Sequence, residues 1–261
     1  MELAGYIASL FIGISLGLIG GGGSILTLPV LVYLFAISPT IAISYSLFIV
    51  GFTSLAGAYN YYKKCLVNFK IVLLFGSSSI TTVFIVRKFI ISLLPNVFFT
   101  LGSFEVTHSL FVMVVFAILM VSASISMIKS KTIIAEKHTN EKPRILIMYG
   151  VLIGLVTGFL GAGGGFLLIP ALVILMKLKM KEAIVTSLLI IALNSLIGFT
   201  GDIGHYFIDW NFLFIISAIA IAGIFIGSYL NQKVNSNKLK IGFGWFVLVM
   251  GIYIIVKELG L

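Results

Sequence analysis

The same broken apolar segment occurs twice in this chain, and no other feature constrains its fold as strongly. "GLIGGGGSILTLP" runs from Gly17 to Pro29 and "GFLGAGGGFLLIP" from Gly158 to Pro170, each inside an apolar run. A glycine in a helix interior costs about 1 kcal/mol relative to alanine. The unbroken series Gly20, Gly21, Gly22, Gly23 therefore marks a built interruption. Shifting the first half by 141 residues carries Gly17, Gly20, Gly22, Gly23 and Pro29 onto Gly158, Gly161, Gly163, Gly164 and Pro170. The same shift carries Ser46 onto Ser187, Ser54 onto Ser195 and Gly57 onto Gly198, with no gap. Leucine and isoleucine match by chance in an apolar chain, but glycine, proline and serine in register do not. The chain is a repeat.

The remaining apolar runs decide the solvent. Candidate spans fall at 41–60, 68–86, 109–128, 183–200, 211–230 and 241–257, and the broken segments at 3–36 and 145–176. Charged residues make up 10% of the chain, against about 25% in a soluble domain. Too little polar surface remains to cover a soluble core. In lipid every backbone N–H and C=O must be satisfied internally, so the expected class is an all-α polytopic membrane protein. The single cysteine, Cys65, allows no intrachain disulfide and no thiolate metal cluster. No metal and no cofactor are expected. The start, MELAGYIASLF, has no basic residue before its apolar run and reads as retained rather than cleaved.

The net charge of +9 is a topology signal rather than a nucleic-acid surface. If each broken segment crossed once, the basic residues would divide almost evenly between the two sides. If each is a hairpin, 14 of the 17 Lys and Arg fall on one side, leaving only Arg87, Lys88 and Lys257 on the other. Short loops rich in Lys and Arg stay in the cytoplasm. The hairpin reading wins and places both termini outside a multi-pass cell membrane protein. The organisation follows: a first membrane repeat over 1–128, a cytoplasmic linker over 129–144 and a second membrane repeat over 145–261. Each repeat is a Gly-broken helical hairpin plus three transmembrane helices, about 8–10 membrane segments in all. An odd number of crossings per repeat inverts the second against the first, an architecture common among transporters.

The legs after the glycines, Ile25 to Ala36 and Phe166 to Met176, are too short as helices to span about 30 Å of hydrocarbon. The turns are thus expected to meet inside the membrane, with the N-termini of the second legs pointing at the centre. Helix N-termini carry free N–H groups and about half a positive charge, which suits an anion. The candidate substrate-binding residues are Gly20, Gly21, Gly22, Gly23, Ser24, Thr27 and Pro29 in the first turn. Gly161, Gly163, Gly164, Gly165 and Pro170 are their partners in the second. Ser46, Thr186, Ser187 and Asn194, with Ser195, place polar groups along the helices that follow. Polar side chains in spans face the bundle interior, either joining helices or lining a path. His205 and Asp202 are candidates for carrying a coupling proton. Gly22→Leu and Gly163→Leu are expected to abolish transport, and Gly5→Leu to be mild.

These segments, "GLIGGGGSILTLP" with "SYSLFIVGFTSLAGAY" and "GFLGAGGGFLLIP" with "TSLLIIALNSLIGFTGDIGHYFIDW", resemble the TauE/SafE family of sulfite and organosulfur anion exporters. The resemblance covers both halves. It implies a carrier of small anions, sulfite, sulfonates or related sulfur compounds among them. The chain offers no HExxH, GxSxG or GxxxxGK[ST] pattern. A secondary transporter, exporting its substrate, is the first reading. A passive anion channel and an intramembrane enzyme are the alternatives. The expected partners are a small anionic substrate and the lipid bilayer, with no nucleic acid. A homo-oligomer is left open.

Overall fold

The computed structural model describes residues 2–258 except 63–66, 92–96, 102–103, 130–142, 162, 177, 179, 206 and 232–235. Helix α1 (Glu2–Ile19) ends in a 3-10 turn (Gly20–Leu26) that leads into α2 (Thr27–Tyr33). Then come α3 (Pro39–Tyr62) and α4 (Phe69–Ile90), the latter loosened by π turns at Val72–Gly76 and Val86–Ile90. A short antiparallel hairpin of β1 (Val97–Leu101) and β2 (Phe104–Thr107) precedes α5 (His108–Lys129). The second half holds α6 (Pro143–Leu160) and α7 (Gly165–Pro170), which continues through a π turn at Ala171–Leu175. It closes with α8 (Met180–Asp202), α9 (Trp210–Asn231) and α10 (Ser236–Glu258). Among the described residues, 8 segments are long and apolar enough to cross a membrane. Most of the 129–144 linker, and Cys65, lie outside the described residues.

By length alone Leu3–Tyr33 could pass for one 31-residue span, but the chain doubles back within it. Gly20 takes φ +74 and ends α1. Gly23 then sits against the backbone of Leu16 and Ser15. Beyond α2, Phe35 returns to the start of α1, its ring 5.7 Å from that of Tyr6. The second half reverses through Gly161, Gly163 and Gly164, with φ of 64, 63 and 64. Left-handed backbone of this kind is open to glycine at little cost. Both broken segments are therefore hairpins.

In a lipid solvent no hydrophobic effect drives helices together, so close backbone approach matters more. The hairpins use it. Gly13 and Gly17 of α1 face Gly223 and Gly227 of α9, where a Cβ on Gly227 would stand 2.2 Å from the Ile14 carbonyl oxygen. In the same way Gly150 and Gly154 of α6 face α4, at 2.6 Å and 2.7 Å from the carbonyl oxygens of Phe75 and Ser79. Each half's first helix thus packs on the third span of the other half, while α3 pairs with α8 and α5 with α10. The two halves thus exchange packing partners. The central pair is the most enclosed: 78% of the α3 window and 72% of the α8 window are buried, against 22% for Ile241–Glu258. Large apolar side chains such as Phe11, Leu73, Phe111, Met148, Phe214 and Trp245 face outward, as lipid contact requires.

One end of the bundle gathers polar contacts from both halves. Tyr33 donates to Glu258 at 2.8 Å, and the Asp209 backbone N–H donates to the Tyr45 hydroxyl at 2.8 Å. Thr40 and Ser109 hydroxyls lie 3.3 Å apart, and Lys257 sits 4.2 Å over the Tyr33 ring. The start of α1 and the end of α10 are both at this end.

Candidate functional site: the crossing of two glycine turns

The two glycine turns touch. A Cβ on Gly165 would stand 2.2 Å from the Gly21 carbonyl oxygen and 2.7 Å from the Gly21 Cα. A Cβ on Gly21 would stand 2.7 Å from the Gly165 Cα and 2.3 Å from Ile191. Ile191 is the central residue of α8, so the backbones cross halfway along the most buried part of the bundle. Gly20 lies against Ile184 and Ile169 nearby, and Gly161 against Ile43 of α3. Gly163 approaches the Ser195 hydroxyl and Val50, and Gly164 approaches the Thr157 hydroxyl.

The polar groups around this crossing divide into spent and unspent. Ser24 donates to the Gly21 carbonyl at 2.8 Å and Ser187 to that of Ile184 at 2.9 Å. The Ser24 hydroxyl is thus spent within its own turn. In a tight turn its short side chain reaches the carbonyl three residues back. Thr186 accepts from the Asn68 backbone N–H at 3.3 Å. Asn194 donates to Ser79 at 2.8 Å, so its amide joins α8 to α4 while its Oδ1 stays unpartnered. Thr27, Ser46, Ser54, Thr157 and Ser195 keep buried hydroxyls with no hydrogen-bond partner. An unmet buried hydroxyl costs about 1–3 kcal/mol, and two of these five, Thr157 and Ser195, lie directly against the second glycine turn.

Thr157 escaped the sequence reading. The 141-residue shift places it opposite Leu16, so matching the repeats hid it. Its signal was a lone hydroxyl one helical turn before a glycine cluster. Pro29 is buried inside α2, and Pro170 ends the α-helical part of α7. Gly22 is not at the crossing: its nearest neighbours are Ile19 at 3.2 Å and Phe243 at 3.9 Å, towards α10. Gly5 is also closely packed rather than open. A Cβ there would lie 2.4 Å from the Phe35 ring, because the returning leg packs on α1.

His205 is exposed and meets Asp202 through a backbone hydrogen bond of 3.1 Å. The Asp202 carboxylate, 3% exposed, is instead ion-paired with Arg87, itself 2% exposed. Counting Arg87 as a loop residue missed its burial. A cavity of about 570 Å³ opens between α1, α2 and α10, lined by Phe11, Ile14, Leu26, Phe243 and Phe246. Among the described residues Ser15 is its one polar side chain, and that hydroxyl is spent on the Ile12 carbonyl at 2.8 Å. The cavity is no place for an anion.

Apolar helices facing lipid, two broken hairpins crossing at mid-length and a buried seam of unmet hydroxyls define a polytopic membrane transporter. The model of the family "Sulfite exporter TauE/SafE" matches residues 6–254, and the chain belongs to that family. It is 28% identical over 261 residues to a "Probable membrane transporter protein" of Xylella fastidiosa (strain 9a5c), covering 94% of this chain and 91% of that one. It is 28% identical over 243 residues to "Probable membrane transporter protein YunE" of Bacillus subtilis (strain 168), covering 84% of each. With "Probable membrane transporter protein MJ0441" of Methanocaldococcus jannaschii it shares 27% over 263 residues, 95% of this chain and 93% of that one. No solved structure matches.

Proposed function

We propose that this transporter is a secondary exporter of small anions, with sulfite, sulfonates and related sulfur compounds as the substrate class. The anion binds where the glycine turns cross. It takes backbone N–H groups from the turns and the starts of α2 and α7, and hydroxyls from Thr157, Ser195 and Thr27. The observation that carries the reading is the pair of buried, unpartnered hydroxyls pressed against the second turn. Donors without a full positive charge suit an anion that must be released as well as bound. The two halves are inverted repeats, in keeping with their exchanged packing partners, and the Arg87 end faces outward in the cell membrane. Flux of labelled sulfite, sulfate, thiosulfate, sulfonates and short carboxylates into proteoliposomes, with and without a pH gradient, tests the reading. Saturable flux of sulfur anions that Thr157→Val and Ser195→Ala weaken supports it. Flux of none of these anions overturns it, and unitary currents in planar bilayers would reassign the protein as a channel.

A further inference from the structure

A buried cluster at the Arg87 end ties the two halves together. Arg87 on α4 donates to the Ser44 hydroxyl of α3 at 2.9 Å and pairs with Asp202 at the end of α8. Ser44 also donates to Asp202. All three are nearly fully buried, with Ser44 at 2% exposure. Gly201 leaves the room, since a Cβ there would meet the Arg87 Cβ at 3.1 Å. Ile43, the neighbour of Ser44, lies against Gly161. The cluster thus stands between the glycine crossing and this end of the bundle.

The repeat reveals a twin at the other end. The 141-residue shift carries Arg87 onto Ser228 and Tyr61 onto Asp202. There Asn60 donates to Ser228 at 2.6 Å, and Tyr61 donates to the Gly17 carbonyl at 2.6 Å. The first contact joins the second span of one half to the third span of the other, and the second ties that same span to the hairpin of its own half. Repeat-equivalent positions thus take part in buried contacts at both ends, ionic at one and neutral at the other. The ionic one is also incompletely satisfied: the Arg87 Nε is buried with no partner. A half-satisfied buried pair is poor permanent glue, and it suits a contact that is made and broken.

We infer that Arg87, Asp202 and Ser44 form the latch that closes the path from the glycine crossing to the Arg87 end, opposite a neutral closure at Asn60, Tyr61 and Ser228. The ionic latch holds that end shut, and opening it separates α8 from α3 and α4. This rests on reading the crossing as the substrate path. Its test reads accessibility rather than transport, so the two fail separately. In a Cys65→Ser background, Ile43→Cys reports the space behind the latch. Val50→Cys, halfway along α3, is the second reporter should the first misfold. An impermeant thiol reagent is applied to intact cells and to inverted vesicles. Arg87→Gln with Asp202→Asn, a neutral pair like the one at the other end, raises labelling about tenfold, from the Arg87 face only, as a tenfold gain in the open population requires. Arg87→Asp with Asp202→Arg returns it towards the parent rate. Unchanged labelling in a well-inserted double variant overturns the latch. So does an equal rise from both faces, which would mark a merely structural pair.

Discussion

Gly165→Ala is the sharpest test of the crossing. The added methyl would stand 2.2 Å from the Gly21 carbonyl oxygen, where ordinary contact begins at 3.4 Å. Its neighbour is backbone, so no side chain can swing away, and the turns must part by roughly 1 Å or more, an overpacking cost of about 1–3 kcal/mol. Gly165 opens α7 with an ordinary φ, so alanine regains up to about 1 kcal/mol of helix propensity and no backbone strain confuses the result. Gly22→Ala is the control, since its methyl meets only side chains, at 3.2 Å and 3.9 Å. Thermal unfolding of both purified variants in one detergent, with flux in proteoliposomes, reads the difference. Gly165→Ala is expected to melt below Gly22→Ala and to lose transport, while Gly22→Ala stays near the parent. Equal melting and equal flux would refute the crossing as a tight and functional contact.

Other expectations follow from the same contacts. Arg87→Gln alone should destabilise the protein by about 3–5 kcal/mol, because Asp202 is left buried and unpaired. The double change to Gln and Asn should cost clearly less than the sum, read by unfolding of all three variants. Asn194→Ala should cost about 1–3 kcal/mol by stranding the Ser79 hydroxyl, and a cycle with Ser79→Ala should show that the two effects are not additive. Gly5→Leu should be severe rather than mild, since the Phe35 ring and the returning leg must move, and a lowered melting temperature would report it. Cys65 should resist an impermeant thiol reagent on intact cells, as the 14-to-3 charge split requires. Rapid labelling there would reverse the proposed sidedness.

The amino-acid sequence by itself determined the solvent, the helical class, the repeat and the two reversals. Each rests on a local property: runs free of charge, or glycines clustered where a helix must end. The spans fell within a few residues of their observed bounds for the same reason. Charge counting chose hairpins over kinked spans, and the return of Phe35 to Tyr6 agrees. Tertiary structure alone decided which glycines matter and how. Gly21 and Gly165 touch although the repeat matches neither to a glycine, Gly22 does not touch although it is matched, and Gly5 packs on Phe35. It also decided which hydroxyls are free. Ser24 is spent in its own turn, while Thr157, opposite a leucine in the repeat, is not. Arg87 counts as a loop charge until α8 brings Asp202 to it across 115 residues. Backbone approach and hydrogen-bond pairing depend on which distant segment arrives at a position, and local pattern carries no record of that arrival.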